Sequence, residues 1–257
     1  MSLEKILVLG STGFIGSNFI RHISVFHQEA FEVVVWSRKR HGDLFDVESL
    51  SNCLQLEAPQ VVVNAAWVST ANPSYRASEQ NLKWITKVHH LHKICADLGV
   101  FVVSLGTDSE NNPEVQNLYV NSKRTLYSKL FESGLLQHSA WLQPSFVFSF
   151  EDLRPNLLRS AMANPSRLDL LLHQPDTLND YVHIFDVSSA IMHLITQRTT
   201  GRFLAKSGFR MQNLRLMSSV VEFPNKYSFS DSCFDSTQDH STWYPKFSQK
   251  VIQAYVN

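Results

Sequence analysis

Lys5-Ile-Leu-Val-Leu-Gly10-Ser-Thr-Gly13-Phe-Ile-Gly16-Ser-Asn-Phe-Ile20 decides how the chain is read. Ile6 to Leu9 is a short apolar run without a polar break, the pattern of a strand buried on both faces. Phe14, Ile15, Phe19, Ile20 and Ile23 then recur at helical intervals. Gly10, Gly13 and Gly16 therefore sit where a strand hands over to a helix, the context that gives a glycine motif meaning. One glycine permits a tight turn, one lets a pyrophosphate approach the main chain, and one lets the helix pack closely. The helix N-terminus adds free N–H groups and partial positive charge. Of 9 glycines in 257 residues, three fall here in register, so the stretch predicts dinucleotide binding. Gly10, Thr12, Gly13, Phe14, Ile15 and Gly16 are the candidate contacts.

Outward from this turn, Phe31 to Trp36 reads as a second buried strand, followed by Ser37-Arg38-Lys39-Arg40. An acid at this point would bind the adenosine ribose hydroxyls, whereas Arg38 would pair with a 2′-phosphate. Ser37 and Arg38 thus favour NADP over NAD. Only five residues separate Ser37 from Asp43, too few for the usual second helix. Asp43, with Leu44, is placed to meet the adenine edge. Val47 to Leu56 fits a short helix, and Pro59 to Ala66 a buried strand. The strand ends in Asn64, Ala65 and Ala66, where small residues let the main chain touch a ligand. Residues 67 to 78 form a polar loop with Trp67, Ser69, Asn72, Pro73, Tyr75 and Arg76. Glu79 to Leu98 is a long helix with an apolar stripe of Leu82, Ile85, Val88, Leu91, Cys95 and Leu98. Its His89, His90 and His92 have spacing that suits surface or packing positions rather than metal ligands. Gly99 caps it.

Val100 to Thr107 is the next strand and its exit, Tyr119 to Ser133 a helix stopped at Gly134, and Ala140 to Phe148, with Pro144, a further strand. Alternating strands and helices predict an α/β, doubly wound parallel sheet of the Rossmann type over 1–150, with right-handed crossovers. Residues 151–257 are expected to form a small substrate lobe interleaved with it. There, Leu153 to Ala163 looks helical. Asp180 to Asp186 reads as a strand leading into a helix N-capped by Asp186, with Val187 to Gln197 as its body. Residues 220–242 read as irregular and 247–256 as a terminal helix.

Lys plus Arg and Asp plus Glu are both 23, so no net field attracts nucleic acid or an anionic membrane. Cys53, Cys95 and Cys233 are widely spaced and odd in number, which suggests reduced thiols in a cytoplasmic protein rather than disulfides or a zinc site. The chain opens on the first strand rather than a signal peptide, and no apolar run approaches the ~20 residues of a membrane span.

Among seven tyrosines only Tyr119 has a lysine four residues on, Lys123, which places both on one helix face. A free phenol has a pKa of ~10, and a nearby ammonium stabilises the phenolate and is expected to lower it. The same ammonium can reach the nicotinamide ribose. Thr107 leaves its strand at the carboxyl end, where its hydroxyl could hold a substrate oxygen.

These motifs, in order, resemble the extended short-chain dehydrogenase/reductases, the nucleotide-sugar epimerase, dehydratase and reductase family. The resemblance rests on Gly10-x-x-Gly13-x-x-Gly16, Gly42-Asp43-Leu44, Asn64-Ala65-Ala66 and Tyr119-x-x-x-Lys123, and runs to about residue 205 through Asp180-Tyr-Val-His-Ile-Phe-Asp186. Leu105-Gly-Thr107, Leu118-Tyr119 and Ala77 to Trp84 resemble the reductases of nucleotide-linked 4-keto-6-deoxyhexoses. The resemblance implies Tyr119 as general acid, Lys123 as its tuner and ribose anchor, and Thr107 as the hydroxyl that polarises a sugar ketone.

Three departures stand out. Only eleven residues separate Thr107 from Tyr119, which leaves Ser104 or Ser109 as alternative hydroxyls. Asn179 replaces the family's Arg, and the segment after Gly201 is compressed. Arg154, Arg159 and Arg167 are candidates for the substrate diphosphate. The family's pairing of the two long helices implies a homodimer, for which Trp84 and Leu126 are expected to be exposed. The alternatives are an epimerase or dehydratase with tightly held NAD, motivated by Asp108 directly after Thr107, and an NADP-sensing protein without turnover.

Overall fold

A computed structural model of the chain describes residues 3–68, 73–149, 176–208, 210–213 and 242–243. It divides into two compact units, Met1–Gln143 with Ser188–Phe203, and Pro144–Val187 with Leu204–Asn257.

The first unit is built on β1 (Glu4–Leu9). Its residues Ile6 to Leu9 are wholly buried. β1 lies between β2 (Phe31–Val35) and β3 (Val61–Asn64), in register Ile6 to Val33 and Ile6 to Val61. β4 (Phe101–Leu105) and β5 (Ser139–Pro144) continue the parallel sheet outward from β3. β8 (Gly201–Ala205) follows, so the order is β2–β1–β3–β4–β5–β8. Runs such as Val61-Val-Val63 and Phe101-Val-Val103 form strands because helices cover both faces. These helices are α1 (Phe14–Phe26), α3 (Val47–Glu57), α4 (Gln80–Asp97), α5 (Leu118–Glu132) and most of α6 (Ile184–Gln197). One core cluster joins Leu7, Leu9, Leu50, Leu54, Val62, Leu91 and Cys95; another joins Trp84, Ile85, Val88, Leu126, Leu130 and Trp141. The chain leaves β1 toward β2 on one side and returns to β3 on the other. That reversal opens a crevice beyond the carboxyl ends, where ligands of such sheets bind.

Several expectations need correction. β2 is an edge strand with Val35 42% exposed, not a buried one, because no strand among the described residues covers its outer side. The short Ser37–Asp43 link does hold a helix, the single turn α2 (Arg38–His41). His41 secures it: its Nδ1 accepts from the Ser37 N–H at 3.0 Å and its Nε2 lies 3.2 Å from Glu57. On α4 the buried face runs through Asn81, Trp84, Ile85, Val88, Leu91, His92 and Cys95. Leu82 and Leu98 are 49% exposed. At ~100° per residue, Leu82 lies about 120° round the helix from Val88, off the packed stripe. His92 is a packing residue, its ring bridging the Ser104 and Ser139 hydroxyls, while His89 is half-buried and His90 exposed. Gly99, at φ +68°, ends α4 with the Val100 N–H bonded to the Cys95 carbonyl, a Schellman closure.

The predicted strand Ala140 to Phe148 is two strands. Pro144, which has no N–H to continue a ladder, closes β5. β6 (Phe146–Phe148) instead pairs in the second unit with β7 (Leu178–His183), which also pairs antiparallel with β9 (Arg210–Gln212). Asp180 on β7 gathers the Ser145 hydroxyl, the Ser207 N–H and the Gly208 N–H. α6 begins before Asp186, which sits in its first turn. The N-cap is His183, whose Nδ1 accepts from the Phe185 N–H at 3.2 Å. β10 (Thr242–Trp243) pairs with Leu204 and Ala205 of β8. The expected helices at 153–163 and 247–256, the irregular stretch short of Thr242, Ser69, Asn72, Arg154, Arg159, Arg167 and Cys233 lie outside the described residues. Cys53 and Cys95 are free, and burial pushes their thiols up to about 11 and about 12. No described helix is long and apolar enough to cross a membrane.

Candidate active site

The glycine turn closes as the motif requires. Gly10 adopts φ +76°, and the Gly13 N–H bonds to the Gly10 carbonyl at 2.9 Å. A Cβ on Gly10 would stand 2.6 Å from the Ala65 and Ala66 main chain, and one on Gly16 would stand 2.3 Å from the Gly10 oxygen. Gly10 thus lets β1 meet the end of β3, and Gly16 lets α1 meet the turn. Gly13 precedes α1 with no side-chain cap, and the N-terminus of a helix favours an anion. Thr12 and Gly13 are exposed; Phe14 and Ile15 are half-buried. These features fit a dinucleotide diphosphate.

At the end of β3, Asn64 is buried. Its Oδ1 accepts from the Ala66 N–H and its amide faces Ser104, so it shapes the Ala65–Ala66 turn from within. At the end of β2, Arg38 is exposed, and the neighbouring Arg40 pairs with Glu57 at 2.7 Å. Asp43 is exposed, and its Oδ1 accepts from the Phe45 N–H at 3.0 Å, an Asx turn that precedes α3. Leu44 is half-buried against the core. Pro144 belongs to the second unit.

Tyr119 and Lys123 stand on α5, whose N-cap Asn117 accepts from the Val120 N–H at 3.0 Å. Tyr119 lies in the first turn, half-buried, with the Tyr75 ring edge-on at 5.3 Å and the Trp67 ring at 6.5 Å. Asn81, fully buried, holds that wall. It accepts from the Trp67 indole at 2.8 Å and donates to the Tyr75 and Ser78 carbonyls. Lys123 is 3% exposed. Its Nζ donates to the Leu105 carbonyl and lies 3.7 Å from the Trp67 ring centre, a cation–π contact.

The expected lowering of the Tyr119 pKa is not what this arrangement produces. Burial, then the Tyr75 phenol and the Glu110 carboxylate, push it above its ordinary value, with Arg76 opposing. Desolvating a phenolate outweighs the help of an ammonium aimed at Leu105 and Trp67. Tyr119 is therefore a protonated group at neutral pH. Burial pulls Lys123 below its ordinary value, and Glu110 acts against that pull.

Thr107 is half-buried at the exit of β4 and caps the 3₁₀ turn Asp108–Asn111. Ser109 is half-buried in that turn, whereas Ser104 is wholly buried and bonded to His92, so its hydroxyl is committed to the interior. The sequence reading missed Glu110. Thr107-x-x-Glu110 is the spacing of a capping box, and the Glu110 Oε1 accepts from the Thr107 N–H at 2.7 Å. Arg124 was also missed. It donates to the carbonyls of Ser109, Glu110, Asn112 and Val115, binding the short Thr107–Tyr119 link to α5.

Residues 4–125 match the protein-family model described as the RmlD substrate binding domain. The chain superposes on dTDP-4-dehydrorhamnose reductase from Bacillus anthracis in complex with NADP, with TM-score 0.71 at 14% identity, over 87% of this chain and 82% of that one. The fold is that of the extended short-chain dehydrogenase/reductases. Two further structures with this fold are similar. The dTDP-glucose 4,6-dehydratase of Bacillus anthracis in complex with NAD has TM-score 0.68 and 17% identity over 97% and 90% of the two chains. The UDP-glucose 4-epimerase of Thermus thermophilus, also with NAD, has 0.69 and 17% over 96% and 92%. No curated protein sequence matches the chain. Gly10, Ala65 and Thr107 all follow carboxyl ends of strands of the sheet, and Lys123 of α5 binds the Leu105 carbonyl at the end of β4.

Proposed function

We propose that the chain is an NAD(P)-dependent oxidoreductase that reduces the keto group of a nucleotide-linked 4-keto-6-deoxy sugar. The observation that carries this reading is Lys123, one helical turn from Tyr119 on α5, bound to the Leu105 carbonyl two residues before Thr107, in the unit that also holds the glycine turn. The likeness to dTDP-4-dehydrorhamnose reductase supports the substrate class. A bound reduced nicotinamide would supply the hydride. Tyr119, protonated at neutral pH, donates the proton to the substrate oxygen. Thr107 donates a hydrogen bond to that oxygen, and Lys123 places positive charge behind the phenol.

Arg38 supports NADP as the cofactor. Arg38→Ala should weaken NADPH binding about 10- to 100-fold, the value of a charge-assisted hydrogen bond, and leave NADH binding unchanged. Fluorescence titration with both nucleotides tests this; equal losses for both would remove Arg38 from the 2′-phosphate.

The second reading is an epimerase or dehydratase with retained NAD, for which the comparable likeness to those structures speaks. Against it, Asp108 accepts from Asn111 and Glu110 is enclosed by donors, so neither stands free as an acid–base partner to Thr107. Tightly bound NAD in the protein as purified would favour it.

We also propose a cytoplasmic homodimer. Trp84 and Leu126 do not support it, since both are buried in the core beneath α4 and α5. Leu82 on α4 and Phe131 on α5, 49% and 68% exposed, are the apolar surface on those helices. Light scattering should give about twice the 29.3 kDa chain mass; a single-chain mass at micromolar concentration would refute the dimer.

A further inference from the structure

Glu110 is an acid that the proposed reaction does not use, yet it is 7% exposed in the middle of the site. Three N–H groups converge on its carboxylate. Thr107 N–H reaches Oε1 at 2.7 Å; Trp141 Nε1 and Gln143 Nε2 reach Oε2 at 3.1 and 2.7 Å. Both oxygens accept, as those of an ionised carboxylate do; burial pushes its pKa above the ordinary value, and the Thr107 N–H, Lys123, Trp141 and Gln143 oppose that push. Gly106 makes the room. A Cβ there would lie 2.5 Å from Glu110 Oε1 and 2.4 Å from Trp141 Nε1. Gln143 is held in turn by Asn111 and Arg202.

A buried anion needs a buried cation. Lys123 brings a buried ammonium to the same stretch of main chain. Its Nζ binds the carbonyl of Leu105, the residue before Gly106, and lies 5.6 Å from the centre of the Trp141 ring. Among the described residues, the other ionisable groups around Lys123 are otherwise placed. Tyr119 on its own helix is a neutral phenol, and its partners Tyr75 and Arg76 come from the turn Pro73–Ala77. Arg124 is spent on carbonyls, Asp108 on Asn111, and Arg202 on Gln143 and Asn111. On α4, His89 faces Ser133, and His92 faces Ser104 and Ser139.

We propose that Glu110 is a positioning residue of the site, fixing Thr107 through its main-chain N–H and serving as the counter-charge that keeps Lys123 cationic. The roles of Thr107 and Lys123 rest on the reductase reading; the pairing itself does not. In Glu110→Gln the attraction is lost while burial remains, so Lys123 gives up its proton at lower pH. Lys123 then carries less charge at any given pH, and the alkaline limb of the kcat/KM profile moves down with it.

The test is nuclear magnetic resonance titration of the lysine ammonium groups in the protein without ligand, with Lys123 assigned by Lys123→Met. Glu110→Gln should lower the Lys123 titration by about one to three pH units, whereas Trp141→Phe, which keeps the carboxylate, should move it far less. An unmoved Lys123 in Glu110→Gln overturns the proposal. Should that variant not fold, the reciprocal arm decides: in Lys123→Met the Glu110 carboxyl must take up its proton at higher pH than in the parent protein. An unmoved carboxyl overturns the pairing equally. Neither arm needs substrate. A moved titration in a protein that reduces no nucleotide sugar would sink the reductase reading alone; turnover with an unmoved titration would sink this inference alone.

Discussion

Tyr119→Phe should lower kcat for ketone reduction about 10²- to 10⁴-fold while the protein stays folded and binds NADPH as before. The phenol oxygen is the proposed proton donor, and its removal leaves the carbonyl oxygen with only the Thr107 hydroxyl. The ring is kept, and with it the edge-on contacts to Tyr75 and Trp67, so the loss falls on chemistry rather than on packing. Steady-state kinetics with NADPH and a nucleotide-linked 4-keto sugar, beside a urea melt, separates the two. Undiminished turnover would assign the proton to another group. A protein that only senses the cofactor would show the same NADPH response in parent and variant, with no turnover in either.

A single methyl group at Gly10 should do comparable damage at the cofactor end. Gly10 lies at φ +76°, where a Cβ costs about 1–2 kcal/mol. The added atom would also stand 2.6 Å from main-chain atoms of Ala65 and Ala66, which cannot rotate away as a side chain can. Overpacking of this kind costs about 1–3 kcal/mol, so Gly10→Ala should lose roughly 2–5 kcal/mol in a urea titration. The shift parts β1 from β3 where the turn must meet a diphosphate. Dinucleotide affinity should therefore fall by at least ~100-fold, as when well-made charge-assisted contacts are lost. A variant that keeps both stability and affinity would detach the glycine turn from cofactor binding.

The two predictions differ in how far the sequence alone supports them. Gly10, Gly13 and Gly16 are legible because a turn between strand and helix is a local event, written within a dozen residues. The same holds for Tyr119 and Lys123, one helical turn apart, and for Gly99 and Gly134 as helix ends. The doubly wound parallel sheet also follows from the chain in order, since apolar runs that alternate with helical periods leave few other packings.

What the tertiary structure decided is which of these residues meet water and which meet each other. Trp84 and Leu126 read as free apolar surface, but they fill a core completed by Leu136 and Trp141. Phe31 to Val35 reads like any buried strand, but its place at the sheet edge exposes Val35. The proton affinities of the site are the sharpest case. Spacing along a helix brings Lys123 under Tyr119, but solvation sets their charge. That depends on Trp67, Glu110 and Trp141, which come from three other stretches of the chain. Glu110 receives Trp141 and Gln143 from 31 and 33 residues away, distances over which no periodicity carries information. Local sequence therefore determined the turn, the elements and the Tyr119–Lys123 spacing. The folded chain decided the edge strand, the covered helix faces and the charges, because burial is a property of the whole packing rather than of any one segment.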